Sequence, residues 1–224
     1  MHYSTADRRE HLKHGLRHDP FKAIIAPRPI GWITTVSNAG VVNLAPYSFF
    51  NAVCDAPPMV MFSSAGRKDS LRNIDENGEF TCSVASQPLV DQMNLSSAAL
   101  QSDVSEYDLT ELTSAPSLVV RPPRVAASPA AIECRLWKSV ELPAGAGDRV
   151  HTVVFGQVVA IYIDERFVTD GILDTAAMRP VARMGYMDYA VVTPQTAFTL
   201  NRPQVDDGRR SARVTPGSWD GVYR

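Results

Sequence analysis

The sequence predicts a mainly β fold, a Greek-key-like antiparallel barrel with a few helices at its rim. Segments rich in Ile, Val, Thr, Tyr and Phe outnumber helical ones, and short turn-rich links join them as adjacent hairpins. There is no GxGxxG after the first strand and no regular strand-helix alternation, which argues against a doubly wound dinucleotide-binding sheet. A P-loop is absent too. At 224 residues, 45% hydrophobic and 21% charged, the chain can bury one sizeable core with appended segments.

Residues 1–20 are charged and His-rich and read as an N-terminal arm or short helix. The barrel domain is expected over residues 21–200. Residues 30–36 and 41–51 form a predicted hairpin around Ser37-Asn38-Ala39-Gly40. Pro57-Pro58 precedes a strand over 59–63, and a helix follows over 69–77 with Gly78 as its stop. Residues 79–85 return as a strand, and Ser86 is expected to cap a helix over 88–100, with Pro88 in its first turn. Residues 101–128, including Ser105-Glu106-Tyr107-Asp108, read as an irregular excursion able to cover a substrate. Residues 131–142 and 151–163 make a second long pair around Pro143-Ala144-Gly145-Ala146-Gly147-Asp148. Residues 201–224 have the composition of a mobile tail that packs loosely or against a partner subunit.

A formal net charge of −2 argues against a general nucleic-acid or membrane-surface binder, so the expected partner is a small molecule or another protein. Cys54, Cys82 and Cys134 lack CxxC spacing and lie in apolar contexts, so they read as reduced, buried thiols. The N-terminus is polar where a secretory signal would be apolar, and no run reaches membrane-spanning length, so the cytoplasm is the expected compartment.

The segment most suggestive of chemistry runs from Val60-Met61-Phe62 through Ser63-Ser64-Ala65-Gly66 into Arg67-Lys68-Asp69-Ser70. A strand, a small-residue turn and a helix start with two cations suit a phosphate, because first-turn N–H groups and the helix dipole favour an anion. The same residues also suit an ordinary capped helix with a solvated basic start. His11, His14 and His18 share one potential helical face, but Arg9, Lys13 and Arg17 disfavour a cation there, so no metal site is expected. Trp32 reads as core, and Phe49-Phe50 as core or dimer interface.

Pro27-Arg28-Pro29-Ile30-Gly31-Trp32-Ile33, Asn43-Leu44-Ala45-Pro46-Tyr47-Ser48-Phe49-Phe50-Asn51 and Arg67-Lys68-Asp69-Ser70 together resemble the flavin reductase-like family of FMN-binding split barrels. The likeness continues through Asp148-Arg149-Val150-His151 and Ala182-Arg183-Met184-Gly185-Tyr186, covering about residues 20–192. Two departures stand out: two residues separate Asp148 from His151, and Tyr186 replaces the second glycine of the late element.

The resemblance implies an NAD(P)H-dependent flavin reductase that binds FMN, with FAD as the alternative flavin and NADH or NADPH as hydride donor. Asn43, Ala45, Tyr47 and Ser48 inherit contacts to the flavin ring edge, and Pro46 exposes its neighbours' donors. Ser63, Ser64, Arg67, Lys68 and Ser70 inherit the phosphate, and Asp69 caps the helix. Arg183 is a candidate for a flavin or nicotinamide phosphate or for an intersubunit ion pair. His151 is the one candidate for the catalytic site, set against a partly buried strand histidine. A homodimer is implied, as is a flavin-dependent monooxygenase that consumes reduced flavin. An FMN-binding electron-transfer protein and a non-enzymatic flavin-binding module remain alternatives on the same fold.

Overall fold

β-branched and aromatic residues favour extended backbone, and the first such run forms β1 (Gly31–Val36). Gly40, at φ +84°, closes the turn into β2 (Val42–Tyr47), and Trp32 lies opposite Pro46 and Ile33 opposite Ala45. The structure is a computed structural model describing residues 1–145, 147–219 and 221. Ala146, in the loop expected between the last two long strands, and the tail residues 220 and 222–224 lie outside the described residues.

The expected strand over 41–51 is divided. It stops at Tyr47 and resumes after Ser48-Phe49 as β3 (Phe50–Asp55), which pairs with β4 (Pro58–Ala65). With β5 (Glu79–Val84), β6 (Ala130–Glu141) and β7 (His151–Ile163), these form one antiparallel sheet ordered β2-β1-β5-β6-β7-β4-β3. Its two edge strands, β2 and β3, are consecutive in the chain and joined by two residues. The sheet must therefore roll up until its edges meet at that end. At this seam the Phe50 ring lies so close over Gly31 that an added Cβ would overlap it.

Ile33, Tyr47, Phe62, Phe80, Cys134 and Val154 fill the barrel, with Tyr47 and Phe62 ring centroids 4.6 Å apart. Each such large side chain contributes about 2–3 kcal/mol by leaving water. Helix α1 (Asp69–Asn77) adds Leu71 and Ile74 to this cluster and ends at Gly78, φ +71°, whose N–H donates to Ile74 O at 2.8 Å. A second cluster, Trp32, Leu44, Leu89, Met93, Tyr107 and Val181, packs on the other face of β1 and β2. β1 is thus buried on both faces, which is why its pattern is continuous rather than alternating.

The helix expected over 88–100 is shorter. A 3₁₀ turn, Gln87–Leu89, leads into α2 (Val90–Leu95), with Ser86 at the cap position but making no side-chain cap. Ser96 ends it by donating to Met93 O (2.8 Å) and accepting from the buried Trp32 indole (2.9 Å). The excursion is more ordered than expected, carrying α3 (Glu106–Thr110) and a small ladder between Ser114–Ala115 and Arg124–Val125. Arg28–Pro29, Val181–Arg183 and Tyr189–Val191 form a separate three-stranded sheet held just past the end of β5 by Val181 N–H to Ala85 O, 2.8 Å.

Cys82 and Cys134 are buried thiols, and burial pushes Cys82 up to about 12. Cys54 is exposed on edge strand β3, correcting the expectation of three buried thiols. The arm has only a short helix, Glu10–Lys13, after which Gly15 turns at φ +78°. His11, His14 and His18 therefore do not share a face. They meet Arg8 O, Tyr3 with Glu10, and Tyr186 respectively. Among the described residues no group of His, Cys, Asp and Glu could hold a metal, and no helix is long and apolar enough to cross a membrane.

Candidate active site

A cleft of about 400 Å³ lies along the free edge of β2. Asn43, Ala45, Pro46 and Tyr47 form one wall, Arg67, Lys68, Asp69, Ser70 and Arg72 at the start of α1 another, and residues 96–100, Ser102 and Glu106 the third. Asn43 Nδ2 donates to Ser70 Oγ at 2.9 Å, tying the strand to the helix start. Lys68 occupies the cap position in extended backbone, and no side chain caps the first turn. An uncapped helix start is an anion site in waiting. Arg67 pairs with Asp75 at 2.9 Å and Arg72 with Asp69 at 2.5 Å, while the exposed Lys68 ammonium has no ion-pair partner among the described residues. Asp69, expected to cap α1, is instead its first helical residue, and its carboxylate accepts from Ser102 Oγ at 2.8 Å.

Directly opposed residues in an antiparallel ladder either exchange both hydrogen bonds or neither. Leu44 N–H donates to Glu106 Oε2 at 2.7 Å, so it points away from β1, and the N–H groups of its neighbours Asn43 and Ala45, and of Tyr47, point into the ladder. Pro46 has no N–H. Of the residues expected to meet a ring edge through backbone donors, Ser48 is left to supply one. Asn43 contributes its side chain, and Ala45 and Tyr47 contribute shape.

Glu106 is the functional candidate that the sequence reading missed. Its segment carries only turn residues and a Ser105 cap, and its contact to Leu44 spans 62 residues of chain. Burial raises its pKa, partly offset by the Leu44 N–H. Tyr47 is also buried, and its hydroxyl makes no hydrogen bond of normal geometry. Burial raises its pKa, with the Ser70 and Ser64 hydroxyls pulling the other way.

A second cavity of about 200 Å³ shares Pro46 and Ser97 with the first and adds Ser48, Met93, Arg183, Met187 and Tyr189. Arg183 lies over the Tyr189 ring, 4.5 Å from its centroid, and donates to the Tyr189 hydroxyl and to Tyr186 O. Tyr186, where a glycine was expected, holds φ +53°, a left-handed conformation unusual for an aromatic residue. Its ring lies 5.7 Å from that of His18, and at Gly185 an added Cβ would come within 2.7 Å of Ala23 Cβ. The turn is thus seated on the helix Phe21–Ile24. Buried Arg28 fixes it further by donating to Met184 O at 3.0 Å.

Nine of the expected site residues therefore converge: Asn43, Ala45, Pro46, Tyr47, Arg67, Lys68 and Ser70 on the first cavity, Ser48 and Arg183 on the second. Three line neither. Ser63 and His151 sit on β4 and β7 and meet each other, Oγ to Nδ1 at 3.3 Å, with Phe49 against the imidazole. Ser64 is buried and donates to Gly66 O at 3.1 Å.

The sequence matches the flavin reductase like domain over residues 25–179. An uncharacterised protein of Halalkalibacterium halodurans is 36% identical over 191 residues, 83% of this chain and 90% of that one. The crystal structure of nitrilotriacetate monooxygenase component B from Bacillus cereus superposes with a TM-score of 0.79 at 29% identity, covering 88% of this chain and 98% of that one. Flavoredoxin of Desulfovibrio vulgaris shares the fold, with a TM-score of 0.69 at 23% identity over 79% of this chain and 90% of its own.

Proposed function

The chain belongs to the flavin reductase like family, and we propose that it binds FMN across the two neighbouring cavities and reduces it with a hydride from NADH or NADPH. One observation carries this reading: two neighbouring cavities that share Pro46 and Ser97 in their walls have an uncapped, cationic helix start in the first and an aromatic-backed arginine in the second. Those two features suit a phosphate and a polar ring edge, and Pro46, Met93 and Tyr189 suit a flat apolar ring between them.

Flavin, when bound, supplies the hydride-accepting ring. The protein's part is binding and alignment. The first-turn N–H groups of α1, with Lys68 and Ser70, hold the phosphate. Ser48 and Arg183 present donors where negative charge gathers on reduction. Glu106 occupies the outward donor of Leu44 and keeps the strand edge in place. No side chain need exchange a proton in the hydride step, which agrees with His151 pairing with Ser63 outside both cavities.

The likeness to a monooxygenase component supports a partner oxygenase as consumer of reduced flavin. The exposed edge strand β3, with Val53 outward, supports a homodimer. Steady-state oxidation of NADH and NADPH with added FMN tests the reading. A rate that saturates in both substrates is expected, and absence of flavin-dependent oxidation overturns it.

A further inference from the structure

We propose that a side-chain bridge between Asp69, Arg72 and Ser102 closes the phosphate end of the first cavity and makes the protein select FMN over FAD. The inference rests on the flavin reading above. Asp69 and Arg72 belong to the wall formed by α1, and Ser102 belongs to the opposite wall formed by the excursion. Ser102 Oγ donates to Asp69 Oδ1 at 2.8 Å and accepts from Arg72 Nη1 at 3.4 Å, while Arg72 Nη2 meets Asp69 Oδ1 at 2.5 Å. The three groups form a closed triangle that ties one wall to the other.

Away from the bridge, Pro46 and Ser97 of the first cavity also line the cavity of Ser48 and Arg183. A flavin lying with its ring there has its phosphate beside Lys68 and Ser70, one residue on either side of Asp69. FMN ends there. FAD continues into a second phosphate and an adenosine, which would have to pass where the bridge crosses. Two effects then oppose FAD. The hydrogen bonds of Ser102 must break to part the walls, and the Asp69 carboxylate, once stripped of Ser102 and loosened from Arg72, then faces the second phosphate as an unbalanced like charge. A site that must break its own polar contacts to admit a ligand discriminates against that ligand.

The test is isothermal titration of the full-length protein with FMN, FAD and riboflavin, in wild type and in Ser102→Ala. Ser102 is exposed, so its truncation leaves the folded core alone. Wild type is expected to bind FMN at least tenfold more tightly than FAD, and the ratio is expected to fall to about threefold in the variant. Arg72→Gln, which loosens the triangle from the other wall, is expected to lower the ratio in the same direction. Equal affinity of wild type for FMN and FAD, or an unchanged ratio in both variants, overturns the bridge while leaving the flavin reading intact. Failure of all three flavins to bind overturns the flavin reading and the bridge with it.

Discussion

Replacing Lys68 by Ala is expected to separate FMN from riboflavin. The Lys68 ammonium is exposed and has no ion-pair partner among the described residues, so its charge is uncommitted. Two unit charges about 4 Å apart attract by about 1 kcal/mol in bulk water, and a phosphate monoester carries nearly two charges at pH 7. The exposed position takes the aqueous end of that range, so the loss is about 2 kcal/mol, or about 30-fold in Kd for FMN. Riboflavin has no phosphate, and its Kd should move less than about twofold. Arg67→Ala should add only a few-fold, because Arg67 is held by Asp75. Titrations at low and at near-physiological ionic strength check the cause, since screening shortens the reach of an exposed charge from about 30 Å to about 8 Å. The FMN penalty should shrink as salt rises. Equal weakening of FMN and riboflavin would refute the assignment of this helix start to the phosphate.

Glu106→Ala should cost about 1–3 kcal/mol in thermal or denaturant unfolding, because the Leu44 N–H loses its acceptor, while Glu106→Gln should recover much of it. The folded protein holds the Glu106 proton more tightly than the unfolded chain does, so wild type loses stability as pH rises from the ordinary glutamate value through the raised one. The Gln variant should gain on wild type across that window, and a gap constant with pH would argue against the raised pKa. Gly156→Ala on β7 would drive a methyl into the buried Phe80 ring and should destabilise by about 1–3 kcal/mol, seen as a fall of several degrees in Tm. A melting temperature equal to wild type would mean that this layer of the barrel can move aside.

Local signals were legible in the sequence where local physics decides them. The turn at Ser37-Asn38-Ala39-Gly40, the helix Asp69–Asn77 and its glycine stop all follow from backbone chemistry within a few residues. The break at Ser48-Phe49 does not. Residues 41–51 are continuously strand-forming, and only the rolling of the sheet requires its two edges to part there. α2 likewise stops at Leu95 because Ser96 meets Trp32, 64 residues away in sequence. For the site, the cationic helix start and the Asn43–Ser48 edge were legible because composition marks them. Glu106 was not, since its partner is a backbone N–H whose direction depends on ladder register. Ser63 and His151 carry suggestive chemistry in sequence, yet adjacent strands turn them toward each other.

The most direct test of the central claim is an anaerobic absorbance titration of the protein with FMN, followed by NADH or NADPH. A flavin-binding reductase gives a perturbed flavin spectrum on binding and then bleaching of the flavin's visible absorbance, catalytic in protein when FMN is in excess. Tight FMN binding with no bleaching by either nicotinamide would contradict the reductase reading, and an unperturbed flavin spectrum would contradict the site itself.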